Sequence, residues 1–134
     1  MKNKFFKTKK QLKLLVENAN KGKVKSQHEL AFYYYTGNNF KKNRTKAFNW
    51  WKLASKKDFG NAHFNLAMMY FNGDGIEKNI KKSYEYANLS IKKKHLWQSA
   101  TYFFLAKNFY IDGLLNKQNS TKALKYLIVA SELG

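Results

Sequence analysis

Apolar residues recur along this chain in two alternating patterns. Stretches at roughly 24–36, 61–72 and 99–111 are apolar on nearly every side, as in Phe64-Asn-Leu-Ala-Met-Met-Tyr-Phe71. A helix of that kind must be covered on most faces, which predicts an inner helix of a stack. Stretches at roughly 44–57, 80–93 and 120–132 are one-sided. In the first of them Ala47, Phe48, Trp51 and Ala54 share a stripe, while Lys46, Asn49, Lys52 and Lys56 lie off it. That is the spacing of an amphipathic helix. Asn43, Asn79 and Asn119 each precede a one-sided stretch, and Asn suits a helix N-cap because its side-chain oxygen accepts from free first-turn amides. Gly37, Gly73 and Gly113 fall where the apolar helices must stop and reverse, a place that favours positive φ.

These landmarks repeat. Leu30-Ala-Phe-Tyr-Tyr-Tyr-Thr-Gly37 matches Leu66-Ala-Met-Met-Tyr-Phe-Asn-Gly73, and a looser copy runs Leu105-Ala-Lys-Asn-Phe-Tyr-Ile-Asp-Gly113. Gly37 to Gly73 is 36 residues and Gly73 to Gly113 is 40; Lys46, Lys82 and Lys122 keep the same two intervals. Most of the extra residues therefore sit near Lys94-His-Leu-Trp-Gln98. A period of 36 with two helices per unit predicts an α-solenoid whose units are stable only because they stack. Small residues at fixed register (Ala31, Ala67, Ala106; Ala47, Ser83, Ala123; Ala54, Ser90, Ala130) let backbones approach, with Tyr34, Tyr70 and Phe109 filling the spaces between pairs.

At Ala62-His-Phe-Asn-Leu-Ala-Met-Met-Tyr-Phe-Asn-Gly-Asp-Gly75, followed by Asn79 and Lys82, the chain resembles the Sel1-like repeats, relatives of the tetratricopeptide repeats. The second repeat matches best. The first has Gly37-Asn-Asn-Phe40, without a second Gly, and the third has Gly113-Leu-Leu-Asn116. The resemblance implies an all-α fold, a short right-handed α-solenoid of antiparallel helix pairs. Three repeats (about 23–58, 59–95 and 96–134) follow a half-repeat at about 10–22 and a flexible basic segment 1–9, with Phe5 and Phe6 tucked back. It also implies a scaffold that binds other proteins. A Cys-rich branch of the family is linked to β-lactam hydrolysis, but this chain has no Cys, so that activity is not carried over.

Composition narrows the chemistry. Among 134 residues there are no Cys and no Pro, 26 Lys+Arg against 8 Asp+Glu, and a net charge of +18. Disulfides and thiolate metal sites are excluded. No apolar run approaches a membrane span, and the basic start lacks the apolar core of a secretory signal. A cytoplasmic protein is the expectation. His28, His63 and His95 are scattered without ligand spacing, and the acids recur near helix ends. Gly73-x-Gly75 follows a helix and lacks the remaining parts of a phosphate loop. No catalytic, cofactor or metal site is expected.

Two surfaces remain. By analogy with tetratricopeptide repeats, first helices line a concave groove. On the first, Lys25, His28, Phe32 and Tyr35 face inward; on the second, Asn61, Phe64, Met68 and Phe71; on the third, Phe103, Lys107 and Tyr110. Such aromatic surfaces suit a protein or peptide segment, though the same rings also serve to pack adjacent helices, and His28 suits a structural role. The other surface is a basic ridge at the second-helix starts: Lys42, Arg44 and Lys46, then Lys78, Lys81 and Lys82, then Lys122. Cations there oppose the helix dipole, so the ridge reads either as a grip for nucleic acid or an acidic protein surface, or as compositional drift. Arg44 is the sole Arg beside 25 Lys and 15 Asn, which favours drift. Leu124, Leu127 and Ile128 on the last helix leave an apolar face through which copies could associate.

Overall fold

The computed structural model describes residues 6–134. Seven α-helices follow one another in these residues, with no strand among them: α1 (Lys9–Asn20), α2 (Val24–Thr36), α3 (Arg44–Ser55), α4 (Gly60–Asn72), α5 (Ile80–Ile91), α6 (Gln98–Leu105) and α7 (Ser120–Leu133). Helices α2–α3, α4–α5 and α6–α7 form the three hairpins, and α1–α2, α3–α4 and α5–α6 are the contacts between units. Phe5 lies outside the described residues, while Phe6 is exposed rather than tucked back.

Local chemistry sets the ends of these elements. Asn43, Asn79 and Asn119 are extended, and each side-chain oxygen accepts from the amide three residues on, at 2.8–2.9 Å. Gly37, Gly73 and Gly113 have φ of 84°, 66° and 76°. Each hairpin is also locked by a backbone bond of 2.8–3.0 Å from the cap Asn N–H to the carbonyl of Tyr34, Tyr70 or Tyr110. Helix α1 opens on a capping box, with Thr8 and Gln11 satisfying each other's amides.

Within and between units, backbones meet on small side chains. Ala31, Ala47, Ala54, Ala62, Ala67, Ala87, Ser83 and Ser90 are buried, and Trp51, Phe109, Leu66 and Leu105 fill the remaining volume. The buried hydroxyls are satisfied by backbone: Ser83 donates to the Ala67 carbonyl at 2.8 Å and Ser90 to that of Gly60 at 3.2 Å.

The irregular third repeat resolves into two insertions. From Ala31 to Ala67 is 36 residues, from Ala67 to Ala106 is 39; the three extra residues lie in and just after the α5–α6 connection. A fourth falls inside the helix, because Ala106 to Gly113 spans seven positions where the earlier repeats use six. It is absorbed as a π turn at Ala106–Ile111 that continues α6, the usual way a helix accommodates one added residue.

That turn corrects the expected register. Counted back from the glycine, Tyr110 takes the place of Tyr34 and Tyr70, and its carbonyl receives the Asn119 amide as theirs receive Asn43 and Asn79. Tyr110 is therefore buried, at 2% exposure, and Ile111 occupies the outward position equivalent to Tyr35 and Phe71. One added residue rotates everything after it by about 100°.

Candidate functional site

On α2, Lys25 and Phe32 are exposed. His28, one turn from each, is half-buried, and its Nδ1 accepts from Trp51 Nε1–H at 3.1 Å while its ring meets Phe59 edge-on at 5.2 Å. Burial pushes its pKa down to about 4, so the ring is neutral and Nε2 carries the proton. His28 thus serves the core as the acceptor for a buried Trp.

Tyr35 also departs from the expected groove role. Its hydroxyl donates to Asp74 Oδ2 at 2.9 Å, and the Arg44 guanidinium lies 3.6 Å over its ring while pairing with the same carboxylate. Burial first, then the bond to Asp74, hold its pKa above the usual phenol value. Tyr35, Arg44 and Asp74 form a strut between the first two repeats, which takes both Tyr35 from the groove and Arg44 from the free cations of the ridge.

On α4, Asn61 Oδ1 lies 3.2 Å from His95 Nδ1, and Phe64 stacks on Trp97 at 6.1 Å, with planes 19° apart. Met68 and Phe71 are half-buried against the second core cluster, Phe71 edge-on to Phe104 at 5.0 Å. On α6, Phe103 is exposed, and the exposed Lys107 pairs with Asp112 at 2.9 Å. Tyr110 points into the core, where its hydroxyl meets that of Tyr84 at 3.1 Å.

Two residues with no place in the expected groove prove central to this face. The inserted connection carries Leu96 and Trp97, 79% and 47% exposed, beside Phe32 at 46% and Phe103 at 54%. Two cavities meet at that pair. One, of about 410 Å³, is lined by His28, Glu29, Phe32, Tyr33 and Asn38 with Leu96 and Trp97. The other, of about 520 Å³, is lined by Ser99, Ala100, Phe103, Leu127, Ala130 and Ser131 with the same two side chains. The longer interval between the second and third repeats was the available signal: extra residues in a solenoid connection must go somewhere, and these lie against the first helices.

His95 holds that connection in place. Its Nδ1 accepts from the Trp97 amide at 3.2 Å, leaving Nε2–H to donate to Ser90 Oγ at 2.8 Å, and Ser90 donates onward to the Gly60 carbonyl. Gly60 is required here, since a Cβ would lie 2.9 Å from the His95 ring. Burial lowers the His95 pKa, with the nearby His63 adding to the effect. Ser90, His95 and Asn61 lie in the order of a nucleophile relay, but His95 Nδ1 accepts from Trp97 and has no proton for Asn61 Oδ1. Its Nε2–H donates to Ser90 instead of Nε2 accepting from it, and Ser90 is wholly buried with its own proton on a carbonyl. The arrangement is structural. No cluster of three potential metal ligands occurs among the described residues.

The ridge has internal partners. Lys46, Lys82 and Lys122 extend over the rings of Tyr34, Tyr70 and Tyr110 at 5.3, 5.3 and 4.8 Å, and Lys78 lies 5.9 Å from Phe71. Each Tyr–Lys pair is separated by 12 residues in sequence. Cation–π attraction of this kind contributes about 0.5–1 kcal/mol at exposed sites, similar in size to the dipole penalty it offsets. Lys42 and Lys81 remain exposed. Leu124 and Ile128 are exposed on α7, while Leu127 is half-buried. No helix among the described residues is long and apolar enough to cross a membrane.

Among solved structures, a Sel1 repeat protein from Oxalobacter formigenes superposes with a TM-score of 0.80 at 23% identity, covering 92% of this chain and 90% of that one. The protein c5321, a protective antigen present in uropathogenic Escherichia coli strains that displays an SLR fold, also gives a TM-score of 0.80, at 22% identity over 89% of this chain. This chain spans only 25% of c5321. At these identities the likeness is one of fold. No curated protein matches the sequence. The Sel1 repeat itself matches residues 24–59, 60–95 and 99–134, the three hairpins whose caps, turns and stacked cores are described above, and the chain therefore belongs to the Sel1 repeat family.

Proposed function

We propose that this chain is a non-catalytic interaction module that holds a protein or peptide segment against the face formed by its first helices. Sel1 repeat proteins generally act as protein-interaction scaffolds. The observation that carries the reading is the gathering of Phe32, Leu96, Trp97 and Phe103 around two adjoining cavities, while rings elsewhere in the stack are turned inward. Large apolar side chains gathered in this way are the usual anchors of a protein interface. Tyr35 and Phe71, being tied into packing, are poor positions for a test. Phe32→Ala with Trp97→Ala removes exposed rings alone. The expected result is an unchanged circular dichroism spectrum with loss of captured partners; unchanged capture by the folded double variant refutes the reading.

The exposed Lys42 and Lys81 support a second reading, a ridge that grips nucleic acid or an acidic protein surface. Log affinity would then fall steeply with log salt, and Lys42→Glu with Lys81→Glu would abolish binding. A flat salt response eliminates it.

A further inference from the structure

We propose that the Leu96–Trp97 platform takes an acidic segment carrying large apolar side chains, such as a strand or helix with Leu, Phe or Trp set among Asp and Glu. This rests on the reading of the first-helix face as the interaction surface and adds the chemistry of its occupant.

The platform is built in advance. His95 bonds the Trp97 amide on one side and Ser90 on the other, and Phe64 stacks beneath the Trp97 ring. Little freedom is left for a partner to remove on binding, which is the condition under which an exposed ring contributes most to affinity. Because Leu96 and Trp97 line both cavities, apolar side chains on either flank of one segment have a place to enter.

Cations outnumber acids beside the platform. Lys92, Lys93 and Lys94 immediately precede it, and Lys25 projects from the same face of α2 as His28 and Phe32. Of these, only Lys93 has an ion-pair partner among the described residues, Asp58, which also accepts from His63. The single acid lining either cavity, Glu29, is already engaged by Lys7 at 3.1 Å and by the Tyr33 hydroxyl at 3.0 Å. While the exposed Glu132 adjoins Ser131 of the second cavity, Lys25, Lys92 and Lys94 are exposed with no ion-pair partner among the described residues. Their field favours an anionic partner, and interface charges of this kind act mainly on selectivity and association rate. The same field opposes a second copy of this chain, which brings a net +18 of its own.

The test is selection from a displayed random-peptide library against the whole chain at physiological salt. Selected peptides are then titrated against Trp97→Ala, against Lys92→Glu/Lys94→Glu, and against Lys81→Glu/Lys117→Glu, a pair that lines a separate cavity. The expected peptides interleave acids with large apolar residues. They lose about tenfold or more in affinity on Trp97→Ala. They lose about threefold or more on the near charge reversal, and less than half of that effect on the other one. Peptides that need Trp97 but show no acidic bias overturn the proposed chemistry and leave the surface reading standing. Peptides indifferent to Trp97, or acidic ones that need no apolar residue and respond equally to both charge reversals, overturn both. A dimer in solution that Trp97→Ala dissociates also overturns the proposal, by assigning the platform to a second copy.

Discussion

The neutral ring of His28 makes the stability of this fold depend on pH in a way that can be isolated. Its Nδ1 accepts from Trp51 within the core, so protonation both creates a charge in a poorly solvated site and sets two N–H groups against each other. Burial holds the folded-state pKa at about 4, against 6.5 when free. Since the folded value is the lower one, the unfolded chain takes up the proton first. Stability falls as pH drops below about 6.5, and the loss is complete near pH 4. The full shift sets an upper bound of about 3 kcal/mol. Water reaches part of the ring, so about half of that, roughly 1.5 kcal/mol, is the expected contribution. The assay is urea unfolding followed by Trp fluorescence at several pH values across that window, for the natural chain and for His28→Gln, whose amide oxygen still accepts from Trp51 but does not titrate. Other groups, His95 and Asp58 among them, shift both proteins alike. The natural chain should lose about 1.5 kcal/mol more than the variant on going from neutral to pH 4. Parallel pH curves would show that His28 does not carry this linkage.

Four further outcomes follow from the geometry. Gly75→Ala demands φ of +76° from a residue whose Cβ would overlap Arg44 Cβ; a loss of about 2 kcal/mol is expected, seen as a Tm roughly 6–12 °C lower. Asn79→Ala removes the cap of α5 and should cost about 1 kcal/mol in urea unfolding. Lys82→Met keeps the apolar stem over Tyr70 but gives up the cation–π contact together with its dipole penalty, so stability should change by less than about 0.5 kcal/mol; a loss well beyond that contradicts the balance of the two effects. His95→Ala unlatches the inserted connection, and acrylamide quenching of Trp97 should rise while the helix content holds.

Much of this fold is legible in the residues because its rules are short-range. Asn at the cap, Gly at the reversal and a 3.6-residue stripe act within one or two turns, and they recur often enough to be counted. The basic ridge is legible as a position but not as an interaction. The constant 12-residue step from Tyr34, Tyr70 and Tyr110 to Lys46, Lys82 and Lys122 is visible in the chain, yet its meaning appears only when each hairpin folds the Lys back across the ring. The candidate surface was less legible still. Tyr35 and Tyr110 look alike by spacing, but one becomes an inter-repeat strut and the other a core ring.

The amino-acid order by itself settles the caps, the reversals and the stacked helix pairs they delimit, since each depends on neighbours a few residues away. Which side chains face water was decided by contacts between residues 30 to 40 positions apart, such as Tyr35 with Asp74 and Lys52 with Tyr86. A single added residue at the π turn buried Tyr110, and three others raised Leu96 and Trp97 onto the first-helix face. A helix passes every insertion on as a rotation, and only the packed neighbours determine where that rotation leaves a ring.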